Sequence, residues 1–326
     1  MATHLTIIAY HFVRNLNNTF FPFIKGITPK KFREQVLYLK KYYSFITALD
    51  LIDYIEIRRE LPPNALMMTF DEGFIDHFQT VFPILDEMNI QGFFFINGKA
   101  VLEHKMMDVN AIKFILASTS NTDKLVNNVF DILNDLREKY SLRSNEYYYK
   151  LLAIKSRYDN KDTIFIKRLL QHQLDEKVRH IIVKKMFENY VTSDEKAFAK
   201  ETYMNVSQIK SLIKNGMYVG SHGYDHHWLA NLSKDEQEKD ILESLKFLKT
   251  IGATTKNWIM CYPYGSFSNI TIEIIKQNGC ALALASKPGI AQYNNETKYS
   301  LPRLDTNDMP TISTAKPNKW TLQTIK

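Results

Sequence analysis

Apolar and polar residues alternate along the first hundred positions in a way that predicts strands followed by helices. Apolar runs such as LTIIAYHFV and ALMMTF are short, which is typical of buried strands. Between them, Phe32, Val36 and Leu39 recur at helix spacing behind Thr28-Pro29, a pair that favours the start of a helix. Strands that alternate with helices in this way predict a parallel sheet or barrel.

The pattern changes in the middle of the chain. Residues 103–202 show helical patterns without a strand signal, and no glycine occurs between Gly98 and Gly216. The alternation of helix and strand then returns, for example in VSQIKSLIKNGMYVGSH. We therefore expect one α/β unit formed by residues 1–102 and 203–326, interrupted by a helical insertion at 103–202.

Composition excludes several classes of protein. The 326 residues are 45% hydrophobic and 24% charged, as in ordinary globular proteins. Every apolar run is far shorter than the roughly 20 residues of a membrane span, and the N-terminus lacks a basic leader. We therefore predict a cytoplasmic protein without a transmembrane segment. Cys261 and Cys280 form neither a disulfide framework nor a zinc finger.

Charge adds little to this picture. The net charge of +7 is spread along the chain, and there is no basic block or nucleic-acid-binding signature. A nucleic acid partner is therefore not expected, although the positive charge would suit an anionic substrate. The sequence does not indicate an oligomeric state.

Candidate chemistry first appears at the end of the strand ALMMTF, where Asp71-Glu72-Gly73 follows. The glycine allows a sharp turn, on which two adjacent carboxylates can point towards one centre. One could then bind a cation while the other acts as a base. The alternative is an acidic pair that only complements the positive end of the following helix.

Histidines cluster in the stretch VGSHGYDHHWL, where three of the nine in the chain fall within six residues. His222 and His226 are four residues apart, which fits one face of a helical turn and can chelate one metal ion. Two imidazoles and a carboxylate, with a position open for water, are typical of catalytic zinc. The alternative is a polar loop of hydrogen-bonded histidines, and His227 is interpreted as structural.

A third strand end carries Tyr262-Pro263-Tyr264-Gly265. Proline and glycine predict a tight turn there. Such a turn can direct a backbone N–H towards a developing oxyanion, although taken alone it is only a turn.

Taken together and in this order, TFDEG, His-x-x-x-His and YPYG resemble the motifs of the polysaccharide deacetylases of the NodB-homology type (carbohydrate esterase family 4), whose pattern begins TFDDG. The resemblance covers most of residues 5–100 and 205–310 and includes AYHFV, in which His11 follows the first strand. It implies an α/β fold, a distorted (β/α)7-type barrel (the NodB-homology fold), here with a helical insertion. It also implies a metal-dependent hydrolase that removes an N-acetyl group from a sugar or glycoconjugate in surface-polysaccharide biosynthesis.

The resemblance also assigns roles to residues of this chain. Asp71 matches the catalytic base, and Tyr264 matches the residue whose backbone N–H holds the oxyanion. Glu72, His222 and His226 match the metal ligands. The implied cofactor is a divalent metal, with zinc as the first choice, and Co²⁺, Ni²⁺ and Fe²⁺ suit the same ligands.

The chain departs from the family pattern at three places. Glu72 replaces an aspartate, Cys261 stands where family members often have an arginine, and no histidine follows His227 to supply the usual late Leu-x-His. We expect Arg303 to provide the missing cation beside the catalytic base. His11 is the candidate for the missing general acid, and a hydrogen-bonded histidine at the barrel rim is the alternative.

Three functions remain open at this level. The leading one is deacetylation of an N-acylated sugar, for which a nucleotide-linked or lipid-linked form fits a protein without a leader peptide. A second is an amidase or deformylase that acts on another C–N bond with the same barrel. A third is a catalytically degenerate protein that binds a glycan or a protein partner.

Overall fold

The computed structural model describes residues 3–16, 19–57, 60–156, 159–294 and 296–325. Contacts between Cα atoms divide the chain into two compact units. The first comprises Met1–Arg14, Gly26–His104 and Lys200–Lys326, and the second comprises Asn15–Lys25 and Lys105–Ala199. The second unit thus includes a short segment after the first strand that the sequence did not indicate. The domain boundaries drawn from the sequence stay a prediction.

Within the part of the chain that the structure describes, the first unit contains one curled sheet of nine strands. Its strands are β1 (Thr3–Tyr10), β2 (Ser44–Phe45), β3 (Ala65–Asp71), β4 (Phe93–Ile96), β5 (Tyr218–Ser221), β6 (Trp258–Cys261), β7 (Cys280–Leu284), β8 (Ala291–Tyr293) and β9 (Leu304–Asp305). Their order is β7-β6-β5-β4-β3-β1-β8, with β2 paired to β3 and β9 paired to β1. Strands β7 to β1 in this order run parallel, and β8 is antiparallel to β1. The predicted α/β class is therefore confirmed.

Helices connect these strands. Those of the first unit are α1 (Pro29–Tyr42), α2 (Ala48–Ile57), α3 (Phe82–Glu87), α4 (Gly98–Leu102), α11 (Val206–Lys214), α12 (Lys234–Ile251), α13 (Asn269–Gln277) and α14 (Lys319–Thr324). Their starts follow the local sequence: the Thr28 side chain accepts the Lys31 N–H, and Ser233 forms a capping box with Glu236. A π-helical turn at 77–81 precedes α3, and Pro83 lies in the first turn of α3. The helical segment that ends in α3 is therefore not a regular α-helix throughout.

Both faces of the sheet are buried, as expected for parallel strands covered by helices. All seven residues of β3 are buried, and successive side chains point to opposite faces. Leu66, Met68 and Phe70 belong to one hydrophobic cluster, whereas Ala65 and Met67 belong to another. This packing on two faces leaves the carboxyl ends of the strands as the edge where polar side chains gather.

The second unit is helical. Its helices are α5 (Asp108–Ala117), α6 (Thr122–Tyr140), α7 (Asn145–Leu152), α8 (Lys161–Arg168), α9 (Glu176–Tyr190) and α10 (Glu195–Thr202), the last of which ends beyond the unit. Phe21 from the short first segment packs against Phe114, with ring centroids 5.1 Å apart, and against Phe198 at 5.7 Å. Among the described residues of the whole chain, no helix combines the length and apolar character needed to cross a membrane.

Candidate active site

Four neighbouring strands of the first unit end at one edge of the sheet. The parallel register pairs Asp71 of β3 with Phe95 of β4, Ile96 with Ser221 of β5, and Ser221 with Met260 of β6. Ligands and reacting groups in open α/β sheets lie beyond the carboxyl ends of the strands. The side chains that follow these strands therefore define the candidate site.

A buried ion pair lies at the centre of this edge. Arg303 Nη1 donates to Asp71 Oδ1 at 2.9 Å, and Arg303 Nη2 lies 2.8 Å from Asp71 Oδ2, so the contact is bidentate. Arg303 Nε donates to the Ala285 carbonyl oxygen at 3.0 Å, which fixes the guanidinium plane. Burial alone would raise the pKa of Asp71, but the attraction of Arg303 outweighs it and holds that pKa well below its usual range. Asp71 is therefore ionised at neutral pH.

The turn after Asp71 is sharply bent. Glu72 and Gly73 have positive φ angles of 78° and 74°, in the left-handed region. A Cβ atom on Gly73 would lie 2.8 Å from Cγ2 of Ile96, so glycine is required there for space as well as for φ. The Glu72 N–H donates to the Phe95 carbonyl oxygen at 2.8 Å. This turn directs the buried Glu72 carboxylate to the strand-end edge.

His11 follows β1 and lies beside that carboxylate. Its Nε2 atom is 3.6 Å from Glu72 Oε1, and 39% of the His11 side chain is exposed. The backbone at this point is held by His77, whose Nε2 donates to the His11 carbonyl oxygen at 2.8 Å. Burial lowers the pKa of His77 to about 4, so the ring is neutral at pH 7 and serves as a structural hydrogen-bond donor.

His222 and His226 come together on a loop. Their spacing fits a helical turn, but the segment after β5 has no regular structure, and Gly223 and His226 have φ angles of 69° and 56°. The two rings nevertheless approach edge to face, with centroids 4.9 Å apart. His222 Nδ1 lies 2.7 Å from the Cys261 carbonyl oxygen. When Nδ1 carries the proton of this hydrogen bond, Nε2 presents a lone pair, as in metal-binding histidines.

Tyr264 follows β6 on a strained turn, with φ 58°. Its ring stacks on Trp228 at 4.3 Å, with 9° between the planes, and meets His226 edge to face at 4.6 Å. Its carbonyl oxygen accepts a hydrogen bond from Ser286 Oγ at 3.1 Å. The turn thus lies next to the histidine loop.

Several side chains at this edge are possible metal ligands. Among the residues the structure describes, one group of three metal-ligating side chains has its ligand atoms within 4.8 Å of one another: Asp71, His222 and Cys261. Arg303 occupies both oxygens of Asp71, and burial raises the pKa of the Cys261 thiol well above its usual range. A carboxylate already paired with arginine is a poor ligand, so this group is a weak metal site as it stands.

The set expected from the sequence is chemically better suited to a divalent ion. Glu72, His222 and His226 offer a carboxylate and two imidazoles, and the Nδ1 contact of His222 prepares Nε2 for coordination. In the structure, the three side chains lie along one edge, but the Glu72 carboxylate contacts His11. Glutamate is one methylene longer than aspartate, which gives this carboxylate the reach for that contact.

Sequence reasoning gave no role at this edge to Cys261, Asn97 or Asp240. Cys261 places Sγ 3.5 Å from Asp71 Oδ1, and Asn97 donates to the His222 carbonyl oxygen at 2.5 Å. Asp240 on α12 accepts backbone N–H groups of the histidine loop. Asn97 could have been found, because it follows β4 as Asp71 ends β3. Asp240 lies in the middle of a helix, and nothing in the local sequence distinguishes it.

Solved structures similar to this one include deacetylases. The Streptococcus pyogenes deacetylase PplD, solved in complex with acetate, has a TM-score of 0.58 at 15% identity, covering 100% of both chains. IcaB from Ammonifex degensii has a TM-score of 0.57 at 17% identity, covering 99% of this chain and 98% of its own. The BpsB deacetylase domain from Bordetella bronchiseptica has a TM-score of 0.52 at 13% identity, covering 93% and 95%. These likenesses confirm the predicted NodB-type fold, here as a curled half-barrel.

The sequence comparison identifies the family. A curated Bacillus subtilis relative, "Putative polysaccharide deacetylase YxkH", is 23% identical over 109 residues, which cover 33% of this chain and 38% of the relative. The family model described as Polysaccharide deacetylase matches residues 58–283. The chain therefore belongs to the polysaccharide deacetylase family, as its motifs indicated. Residues 11 and 303 lie outside the matched range.

The buried ion pair gives a testable effect on stability. In metal-free protein at pH 7, Arg303→Ala should lower the free energy of unfolding by about 3–5 kcal/mol, because Asp71 is left as an uncompensated buried charge. The folded-state pKa of Asp71 is depressed. Its contribution is therefore present above its unfolded pKa of about 3.9 and is lost as pH falls. Urea unfolding should show a smaller difference between wild type and variant at pH 3 than at pH 7.

The matched control is Arg33→Ala, which removes an exposed ion pair with Glu87. Solvent screens that pair, so the unfolding midpoint should barely move at either pH. An Arg303→Ala loss that is absent, or equal at both pH values, would contradict the assigned ion pair.

Proposed function

We propose that this chain is a metal-dependent hydrolase that removes the N-acetyl group from an N-acylated sugar unit of a polysaccharide or glycoconjugate. The proposal rests mainly on the buried, ionised Asp71 at the strand-end edge it shares with His222, in a chain of the polysaccharide deacetylase family. Glu72, His222 and His226 would hold the ion. Zinc is the first choice, and Co²⁺, Ni²⁺ and Fe²⁺ suit the same donors.

A bound divalent ion would supply Lewis acidity towards the substrate carbonyl and towards water. Asp71 then accepts the proton of the attacking water as the new C–O bond forms. The same arginine that keeps Asp71 ionised also makes it a weak base, because it stabilises the carboxylate. Proton transfer to so weak a base is unfavourable from bulk water and less unfavourable from an acidified water, so the proposed reaction needs both the metal and Asp71.

The remaining steps concern the amide. Addition of water places negative charge on the carbonyl oxygen, and we assign the Tyr264 backbone N–H to donate to it. His11 is assigned to protonate the amide nitrogen as the C–N bond breaks, which releases acetate and a free amine. Its partial exposure and its contact with Glu72 suit a group that exchanges protons with solvent and lies near the reacting atoms.

The substrate is proposed in part from the sequence alone. Several points stay predictions from the sequence. They are a nucleotide or lipid linkage, a role in surface-polysaccharide biosynthesis, a cytoplasmic location, and action on an amide other than that of an N-acetyl sugar. One observation favours a second candidate, a glycan-binding protein without activity: the Glu72 carboxylate contacts His11 instead of completing a compact ligand cluster with the histidines. Acetate release separates the two functions.

Asp71→Asn tests the proposed base. The asparagine side chain keeps its shape but accepts a proton poorly, so kcat for acetate release from an N-acetylglucosamine oligosaccharide should fall by about 10²- to 10⁴-fold. KM should change little, because the group acts on water. Asp86→Asn, an exposed substitution of the same kind, should retain wild-type kinetics. Wild-type turnover in Asp71→Asn would reject Asp71 as the base.

His11→Ala tests the proposed acid. We expect about a 10²-fold loss in kcat and the loss of the alkaline limb of the pH–rate profile, because the leaving nitrogen no longer receives a positioned proton. The comparison is His4→Ala, since His4 is an exposed histidine of β1. If rate and profile both match wild type, His11 is a rim histidine and another group is the acid.

A further inference from the structure

The histidine loop lacks the hydrogen bonds that regular structure would give it. His222 and His226 are separated by four residues, but no helical i to i+4 bonding fixes their distance. Polar groups outside the loop must therefore set its shape. The backbone groups of residues 222–225 show which ones do.

Residues that follow β4 hold the carbonyl groups of this loop. Asn97 is fully buried, and its Nδ2 donates to the carbonyl oxygens of His222 at 2.5 Å and of Gly223 at 3.5 Å. The Lys99 N–H, two residues further on, donates to the Tyr224 carbonyl oxygen at 3.1 Å. Three successive carbonyl groups of the loop thus face donors from one short segment.

Helix α12 holds two N–H groups of the same loop. The buried Asp240 accepts the Tyr224 N–H at Oδ2, at 3.1 Å, and the Asp225 N–H at Oδ1, at 2.9 Å. Gly223 permits this approach, because a Cβ atom there would lie 2.9 Å from Asp240 Oδ2. One carboxylate therefore fixes two consecutive peptide groups between the two histidines.

We propose that Asn97 and Asp240 are positioning residues that hold the backbone of residues 222–225 and set the affinity of His222 and His226 for a divalent cation. This inference rests on the proposed function, in which these histidines bind the metal. The two residues need not touch the ion. They fix the backbone from which both ligands extend, so less ordering is needed when the ion binds.

The test is a zinc titration of metal-free protein in competition with a chromogenic chelator. Asp240→Asn and Asn97→Leu should each raise the Kd for Zn²⁺ by about 10- to 100-fold, the range for residues that orient metal ligands. Asp235→Asn, the same change on the exposed side of α12, should leave Kd unchanged. The double variant should lose less affinity than the product of the single losses, because both residues hold the same four-residue segment.

The outcomes separate this inference from the function on which it rests. If wild type binds zinc and both variants bind it equally well, the positioning role is overturned and the proposed hydrolase stands. If the variants weaken binding but wild type releases no acetate, the positioning role is supported and the proposed reaction fails. A wild type that binds no zinc overturns both.

A measurement on wild type alone covers the case in which the variants fail to fold. Amide hydrogen exchange of the metal-free protein should show the Tyr224 and Asp225 N–H groups as protected as those of β5, because Asp240 accepts them both. Rapid exchange at these two amides would overturn the inference.

Discussion

Parallel pairing of strands β3 to β6 is the constraint on which the candidate site depends. Parallel strands end at the same edge, so residues far apart in sequence become neighbours when each follows its own strand. Asp71, Asn97 and His222 meet in this way, and residues 261 and 264 join them from β6 and the turn after it. The buried aromatic and aliphatic residues on both faces of the sheet hold these ends in register.

The charged groups at this edge of the sheet suit the proposed reaction. Arg303 keeps Asp71 ionised but weakly basic, which suits a reaction in which another group acidifies the attacking water. The Cys261 carbonyl oxygen orients His222 through Nδ1, so strand β6 supports a proposed metal ligand. The thiol of the same cysteine lies against Asp71. Glu72 does not fit this arrangement as well, because its longer side chain contacts His11. A bound cation would compete with His11 for the Glu72 carboxylate.

Local patterns in the sequence predicted most of the fold. The Thr28 cap and the short apolar strands depend on neighbouring residues, so they are visible in the sequence. The contact between Arg303 and Asp71 was expected because Cys261 replaces the arginine of the family pattern. The structure shows this contact, whereas its catalytic role stays a prediction.

Features that depend on distant residues could not be predicted. The spacing of the two histidines suggested a helical turn, but positive φ angles at Gly223 and His226 make the segment a loop. The reach of Glu72 towards His11 and the hydrogen bonds from Asp240 join positions that only the fold brings together. The grouping of residues 15–25 with the helical unit likewise depends on packing that no local pattern records.

Metal content tests the central claim most directly, because every proposed step assumes that the histidine loop holds an ion. Elemental analysis should find about one divalent metal per chain in the wild type and none in His222→Ala/His226→Ala. Arg303→Ala should retain the metal, since Arg303 contacts Asp71 and not the histidines. A wild-type protein that holds no metal even after zinc is added back would contradict the account, and the histidines would then belong to a polar loop in a protein that binds without cutting.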